Sequence, residues 1–228
     1  MSKQFTFYGH STFGFTLGEF KILVDPFFSG NPMTKTTPDE PDADFILVTH
    51  GHGDHVGDAV AIALRTGAQV IASVEVINWL KEQGVEKTHA QQIGGGYNHP
   101  FGYLKMTQAI HGSSLPDGSY GGMPGGFLLT TLDDEVIYIA GDTGLFAGME
   151  LIAEEGIDLA LLPIGDNFTM GPEDALRAVK LLHPRLVIPT HYNTWPLIAQ
   201  DPEKWKARVE KETDTLVRVL DPDTQIEI

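Results

Sequence analysis

Four apolar stretches of this chain end on imidazole or carboxylate side chains, and that repeated ending constrains the fold more than any other feature. Phe45-Ile-Leu-Val-Thr runs into His50-Gly-His52-Gly-Asp54-His55, and Met106-Thr-Gln-Ala-Ile runs into His111. Val136-Ile-Tyr-Ile-Ala-Gly runs into Asp142, and Leu186-Val-Ile-Pro-Thr into His191. In layered α/β proteins, side chains at the carboxyl ends of strands gather at one edge, where ligands bind. A lone histidine after a strand is more often a hydrogen-bonded structural residue; four such endings in one chain point to a shared site. Three imidazoles and a carboxylate within six residues are costly to crowd together unless a cation binds them. Gly51 and Gly53 are expected to turn the backbone sharply enough for their neighbours to converge. The competing reading, a polar loop of solvated histidines, leaves the other three endings unexplained.

There are no cysteines among the 228 residues, so any metal must be held by imidazole and carboxylate, and a thiol nucleophile is excluded. That donor set suits zinc, iron or manganese better than calcium or magnesium. Seven such groups are too many for one zinc ion and suit a pair. With 15 basic against 31 acidic residues the formal charge is -16, which makes nucleic acid a poor partner and reads more simply as a solubility device. Hydrophobic residues at 42% and charged residues at 20% describe a globule, expected as a single domain over residues 1–228. The stretch MSKQFTFYGHSTF lacks the pattern of a signal peptide, and no apolar run approaches a membrane span, so a cytoplasmic protein without membrane association is expected.

Along the chain, Phe5 to Tyr8, Thr12 to Leu17 and Phe20 to Val24 read as a meander of strands, and Phe45 to Val48 as a buried strand. Helices are expected over Asp58 to Arg65 and Glu75 to Gln83, flanking a strand from Gln69 to Ser73. A strand from Phe101 to Ile110 should end at His111, and Phe127 to Leu132 with Val136 to Ala140 should form a hairpin across Asp133-Asp134. The last third alternates: helix Phe146 to Glu155, strand Leu159 to Leu162, helix Pro172 to His183, strand Leu186 to Pro189, helix Glu203 to Glu210. Pro172, Glu173 and Asp174 suit a helix start, and Ala175, Leu176, Val179 and Leu182 share one face. Sheets covered by helices in one layered domain, of the α/β (α+β) class, fit this order.

The HxHxDH segment followed by isolated His, Asp and His resembles the signature of the metallo-β-lactamase superfamily, over most of the chain from Phe5 to His191. The resemblance implies a four-layer αββα sandwich with two metals at one edge. It implies His50, His52 and His111 on the first metal, Asp54, His55 and His191 on the second, and Asp142 bridging both. Tyr-Gly-His-Ser-Thr-Phe and Leu-Val-Asp-Pro-Phe also look like a branch of small metal-dependent hydrolases similar to the ascorbate-6-phosphate lactonase. The cysteine of the common lactamases is missing, which argues against antibiotic hydrolysis. The diiron flavoproteins of this fold carry Glu where His52 stands and append a flavodoxin domain, and the RNA-processing branch carries a large insert or a basic arm. None of these is present.

Two divalent ions contribute +4; ionised Asp54 and Asp142 leave +2, and a bound hydroxide leaves +1. An anionic small molecule is therefore the expected substrate, even for an acidic protein. The expected reaction is attack of a metal-bridging hydroxide on an ester, lactone or phosphoester. The alternatives are a phosphodiesterase of the same fold and a metal-binding module without catalysis. Two divalent cations are expected as cofactors, zinc first, with manganese, nickel or iron as the other choices. Asp54 is expected to orient the nucleophile besides binding metal. His10 is a candidate to bind substrate or protonate a leaving group, weighed equally against a turn or supporting histidine. Asp25 is read as a partner for a ligand histidine, Asp166 as a pocket or turn residue, and Asn193 as a turn residue. His89, His99 and His183 are read as surface or packing residues. The loops Ser113 to Gly126 and Asn193 to Pro202 are candidates for pocket walls or for a contact between copies of the chain.

Overall fold

Alternating phenylalanines start the chain as a pleated, one-sided ribbon. In the computed structural model, which describes residues 3–228, β1 (Lys3–Gly9) pairs antiparallel with β2 (Thr12–Leu17) so that Phe5 faces Phe15 and Phe7 faces Phe13 across the ladder. All four rings are buried, and Phe5 lies 5.2 Å from Phe15 between ring centroids. Met1 and Ser2, at the start of the stretch read above for a leader, lie outside the described residues.

The chain divides into two compact units. The first takes residues 1–95, 112–124 and 221–228. Its seven-stranded sheet runs β14 (Thr224–Glu227), β1, β2, β3 (Phe20–Val24), β4 (Phe45–Leu47), β5 (Gln69–Ala72), β6 (Thr88–Ala90). Beyond the antiparallel meander of β1 to β3, strands β3 to β6 are parallel. Parallel neighbours need crossovers; α2 (Ala59–Thr66) lies in the one from β4 to β5 and α3 (Val74–Glu82) in the one from β5 to β6, while a loop joins β3 to β4. Ile62, Val76 and Leu80 pack with Ile46, Val48 and Val70 in one buried cluster. Strand β4 is buried at every position, which explains its unbroken apolar run.

The second unit takes residues 96–111 and 125–220. Its sheet runs β13 (Leu216–Val217), β12 (Leu186–Thr190), β11 (Leu159–Pro163), β10 (Val136–Ile139), β9 (Gly125–Thr131), β8 (Gly102–Gln108), β7 (Gly96–His99). Strands β10 to β13 are parallel, while β9 is antiparallel to both β8 and β10. Two reversals cancel, so β8, β10, β11 and β12 all end at the same edge. Helices α4 (Met149–Ala153), α5 (Pro172–Leu182) and α6 (Pro202–Glu212) cover this sheet. Met149, Leu176, Val179, Trp205 and Val209 share a buried cluster with Tyr138, Ala160 and Leu162.

All the expected elements stand within two residues of their expected bounds except the helix over Phe146 to Glu155. Strand β8 stops at Gln108 rather than Ile110, because the Ile110 amide leaves the ladder to donate to Thr143 Oγ1 at 2.9 Å. The helix expected over Phe146 to Glu155 shortens to Met149–Ala153, its flanks closing in turns whose amides bond three residues back, Met149 N to Phe146 O and Glu155 N to Ile152 O. Helix α6 is longer at its C-terminal end than expected, reaching Glu212. Strands β6, β7, β13 and β14 and a one-turn helix α1 (Gly53–Val56) were not expected. No described helix is long and apolar enough to cross a membrane.

Candidate metal centre

In the first unit the site is organised by Asp25, which follows β3 and is fully buried. Because β4 lies parallel to β3 with Leu47 beside Val24, Thr49 arrives next to Asp25. Thr49 N donates to Asp25 Oδ1 at 2.8 Å and Thr49 Oγ1–H to Oδ2 at 2.7 Å. The same Oδ2 stands 2.8 Å from His55 Nδ1. Facing a carboxylate, His55 carries its proton on Nδ1 and presents Nε2 as its lone-pair nitrogen. The Thr49 hydroxyl has donated its hydrogen, so at 3.0 Å it accepts from His50 Nδ1–H, and His50 too presents a lone pair on Nε2. That atom is 2.9 Å from His52 Nδ1. The expected role of Asp25, partner to a candidate ligand histidine, is the geometry observed.

The one-turn helix α1 begins directly after His52 and carries Asp54 and His55; His55 N and Val56 N both bond His52 O. His10 Nε2 lies 3.2 Å from Asp54 Oδ2, and His10, Asp54 and His55 each offer a ligand atom within 4.8 Å of the others. The glycines of this segment act differently from expectation. Neither Gly51 nor Gly53 has a left-handed φ. A Cβ on Gly51 would press on Leu115 at 3.1 Å, while Gly53 faces open space. The Gly51 amide donates to Ser113 Oγ at 3.1 Å, which ties the ligand loop to the Ser113 to Gly126 loop.

In the second unit, Asp142 Oδ2 stands 3.1 Å from His191 Nε2 and 3.5 Å from His111 Nε2. Asp142 and His191 are buried, and His111 is partly exposed. Thr143 positions two of them: its Oγ1 accepts from Ile110 N and donates to Gly144 O at 2.7 Å, while Gly144 N bonds Ile110 O. His111 and Asp142 are each next in sequence to a member of that clamp. His191 takes φ +52, and Gly165 packs so closely that a Cβ there would sit 2.1 Å from the His191 carbonyl oxygen.

His10, Asp25, Asp166, His191 and Asn193 all adopt left-handed backbone, which costs a side-chain-bearing residue energy and collects at functional sites and tight turns. For Asp166 and Asn193 a turn accounts for it. Asp166 is exposed and its Oδ1 accepts from Asn167 N, and Asn193 Oδ1 accepts from Gln200 N at 2.8 Å. His99 is buried in β7 and stacks on Phe101, His89 lies half-buried in β6, and His183 is exposed as the left-handed cap of α5. Thr49, Ser113 and Thr143 were not singled out from sequence. A threonine at a strand end is commonplace, and only its partner's position makes it matter.

Two mixed sheets flanked by helices, with imidazoles and carboxylates at their strand ends, define a metal-dependent hydrolase of the metallo-β-lactamase fold. The chain belongs to the beta-lactamase superfamily, whose domain profile matches residues 21–192. A UPF0173 metal-dependent hydrolase of Pelotomaculum thermopropionicum is 49% identical over 229 residues, covering 98% of this chain and 99% of the relative. One from Thermus thermophilus is 50% identical over 200 residues, 88% of each chain. The solved structure of Igni18, described as a novel metallo hydrolase from Ignicoccus hospitalis, superposes with a TM-score of 0.91 at 37% identity, covering 100% of this chain and 99% of Igni18.

Proposed function

We propose that this protein is a binuclear metal-dependent hydrolase whose metals are held by His50, His52, Asp54, His55, His111, Asp142 and His191. One observation carries the reading: the Thr49–Asp25 system commits Nδ1 of both His50 and His55 and presents Nε2 of each as a lone-pair nitrogen. Neutral imidazoles fixed in one tautomer by a carboxylate are what a divalent cation requires of its ligands. The donor set, imidazole and carboxylate without thiolate, fits zinc, manganese or iron. Two such cations, when bound, act as Lewis acids and lower the pKa of a coordinated water to about 7.

The chain's own residues do the remainder. Asp25 and Thr49 hold the His50 and His55 rings against rotation. Asp142, with one oxygen facing both His111 and His191, is placed to offset the repulsion between two cations. Asp54, in the one-turn helix that follows His50 and His52, is the carboxylate to orient a nucleophile. With two cations against Asp54 and Asp142 the centre stays positive and draws an anionic substrate, for which an ester, a lactone or a phosphoester serves equally.

The test is elemental analysis of chelator-free protein, followed by a screen of carboxylic esters, lactones and phosphodiesters. Two ions per chain and turnover of one of these classes are expected, and one ion or fewer would sink the binuclear reading. His52→Ala should lose activity and metal while its circular dichroism stays native. Global unfolding of that variant would make the metals structural instead.

A further inference from the structure

We propose that His10 is itself a metal ligand, binding the same ion as Asp54 and His55 through Nε2; this rests on the binuclear reading above. The loop that carries His10 is built to aim that ring. Gly9 has φ +101 and lies against Met33, where a Cβ would meet the Met33 Cβ at 2.8 Å, and His10 follows at φ +57. On its other side Thr12 Oγ1 donates to Asp25 O at 2.7 Å and accepts from Phe27 N at 3.1 Å. The His10 ring is fully buried, edge-on to Phe27 at 5.7 Å and 5.8 Å from the His55 ring.

The arrangement around the ring fits a ligand. His10, Asp54 and His55 each offer a donor atom within 4.8 Å of the others, and donors about 2.0–2.1 Å from one tetrahedral ion stand about 3.3 Å apart. His10 Nε2 and Asp54 Oδ2, at 3.2 Å, match the edge of a coordination polyhedron. The imidazole, buried to 0% exposure, presents that nitrogen to the same carboxylate that the binuclear reading gives to the second ion.

The test uses the full-length protein loaded with NMR-active cadmium. A ligand shows a scalar coupling between the metal and the His10 Nε2; a residue that only orients Asp54 shows none. Coupling to His10, and a His10→Gln variant that binds its second ion about 10–100-fold more weakly, are expected. Absence of the coupling with two ions bound overturns the assignment of His10 alone. Uptake of a single ion by the wild-type protein overturns the binuclear reading itself, and the two failures are thereby told apart. Should His10→Gln not fold, the coupling in the wild-type protein still decides.

Discussion

A carboxylate that touches two ring nitrogens, or one ring nitrogen with a backbone amide and a hydroxyl, does different work from one in solvent, and the site holds one of each kind. Asp25 fixes tautomers. In Asp25→Asn the amide nitrogen facing His55 Nδ1 would donate, driving the ring proton to Nε2 and blocking the ligand position. Metal affinity is expected to fall about 10–100-fold, with a stability loss of about 1.5–3 kcal/mol from the weakened buried bonds. Metal titration and thermal unfolding of the metal-free protein measure the two separately; an affinity equal to wild type would remove Asp25 from the ligand-orienting role. Asp142 is the bridge in the proposed centre. Asp142→Asn keeps the shape and removes the charge, so the pair of ions should fail to assemble and turnover should fall by more than the roughly 100-fold upper end for supporting residues. Full occupancy with near-normal kcat would move the bridge elsewhere.

At the scale of elements, the site depends on how closely neighbouring strand ends approach. Ile164 N bonds Thr190 O between β11 and β12, and one residue further Gly165 meets the His191 backbone. Gly165→Ala must push these ends apart, at a cost of about 1–3 kcal/mol, and should displace His191. A lowered melting temperature together with weakened metal uptake is expected; unchanged values for both would show that the loop gives way freely. Asp223 ties the turn before β14 to residues 34–36. It accepts from Thr34 Oγ1 at 2.6 Å, Lys35 N at 2.9 Å and Thr36 Oγ1 at 2.9 Å. Burial pushes its carboxyl up, and these hydrogen bonds together outweigh it and hold the group below the usual carboxylate range. A depressed folded pKa contributes stability above the ordinary carboxylate pKa of about 3.9, lost as pH falls through the lower folded value. Asp223→Ala should therefore cost at most about 1 kcal/mol at neutral pH, given the exposure of the group, and the difference from wild type should close on acidification below about pH 4. A difference that persists there would point to packing rather than charge.

For the whole molecule, a net charge of -16 and the proposed cationic centre act at different ranges. At physiological salt the field of exposed charges fades within about 8 Å, so small anions reach a metal centre that long polyanions do not. Negligible binding of generic DNA or RNA is the expected gel-shift result, and tight, salt-sensitive binding would return the nuclease branch to consideration. How much of this was legible in the sequence follows from what is local. The strands β1 to β5, β9 and β11 and the helices α2, α3 and α5 announce themselves through apolar periodicity and end residues, and the candidate ligands through their place after those strands. The edge strands did not. Leu216–Val217 and Thr224–Glu227 have too few residues and too weak an alternation to be strands alone, and become so by pairing with β12 and β1. The same holds for α1, a single turn that a four-residue stretch cannot stabilise by itself. The sequence by itself thus determined the donor chemistry and the fold class, because side-chain type and hydrophobic period are properties of neighbours along the chain. Which nitrogen of each histidine is presented, what crowds Gly51 and what holds His111 beside Asp142 were decided only by the tertiary structure. Each depends on a partner 24 to 64 residues away, Asp25 for Thr49 and Leu115 for Gly51 among them, and hydrogen bonds at that separation exist only after the sheets have set the register.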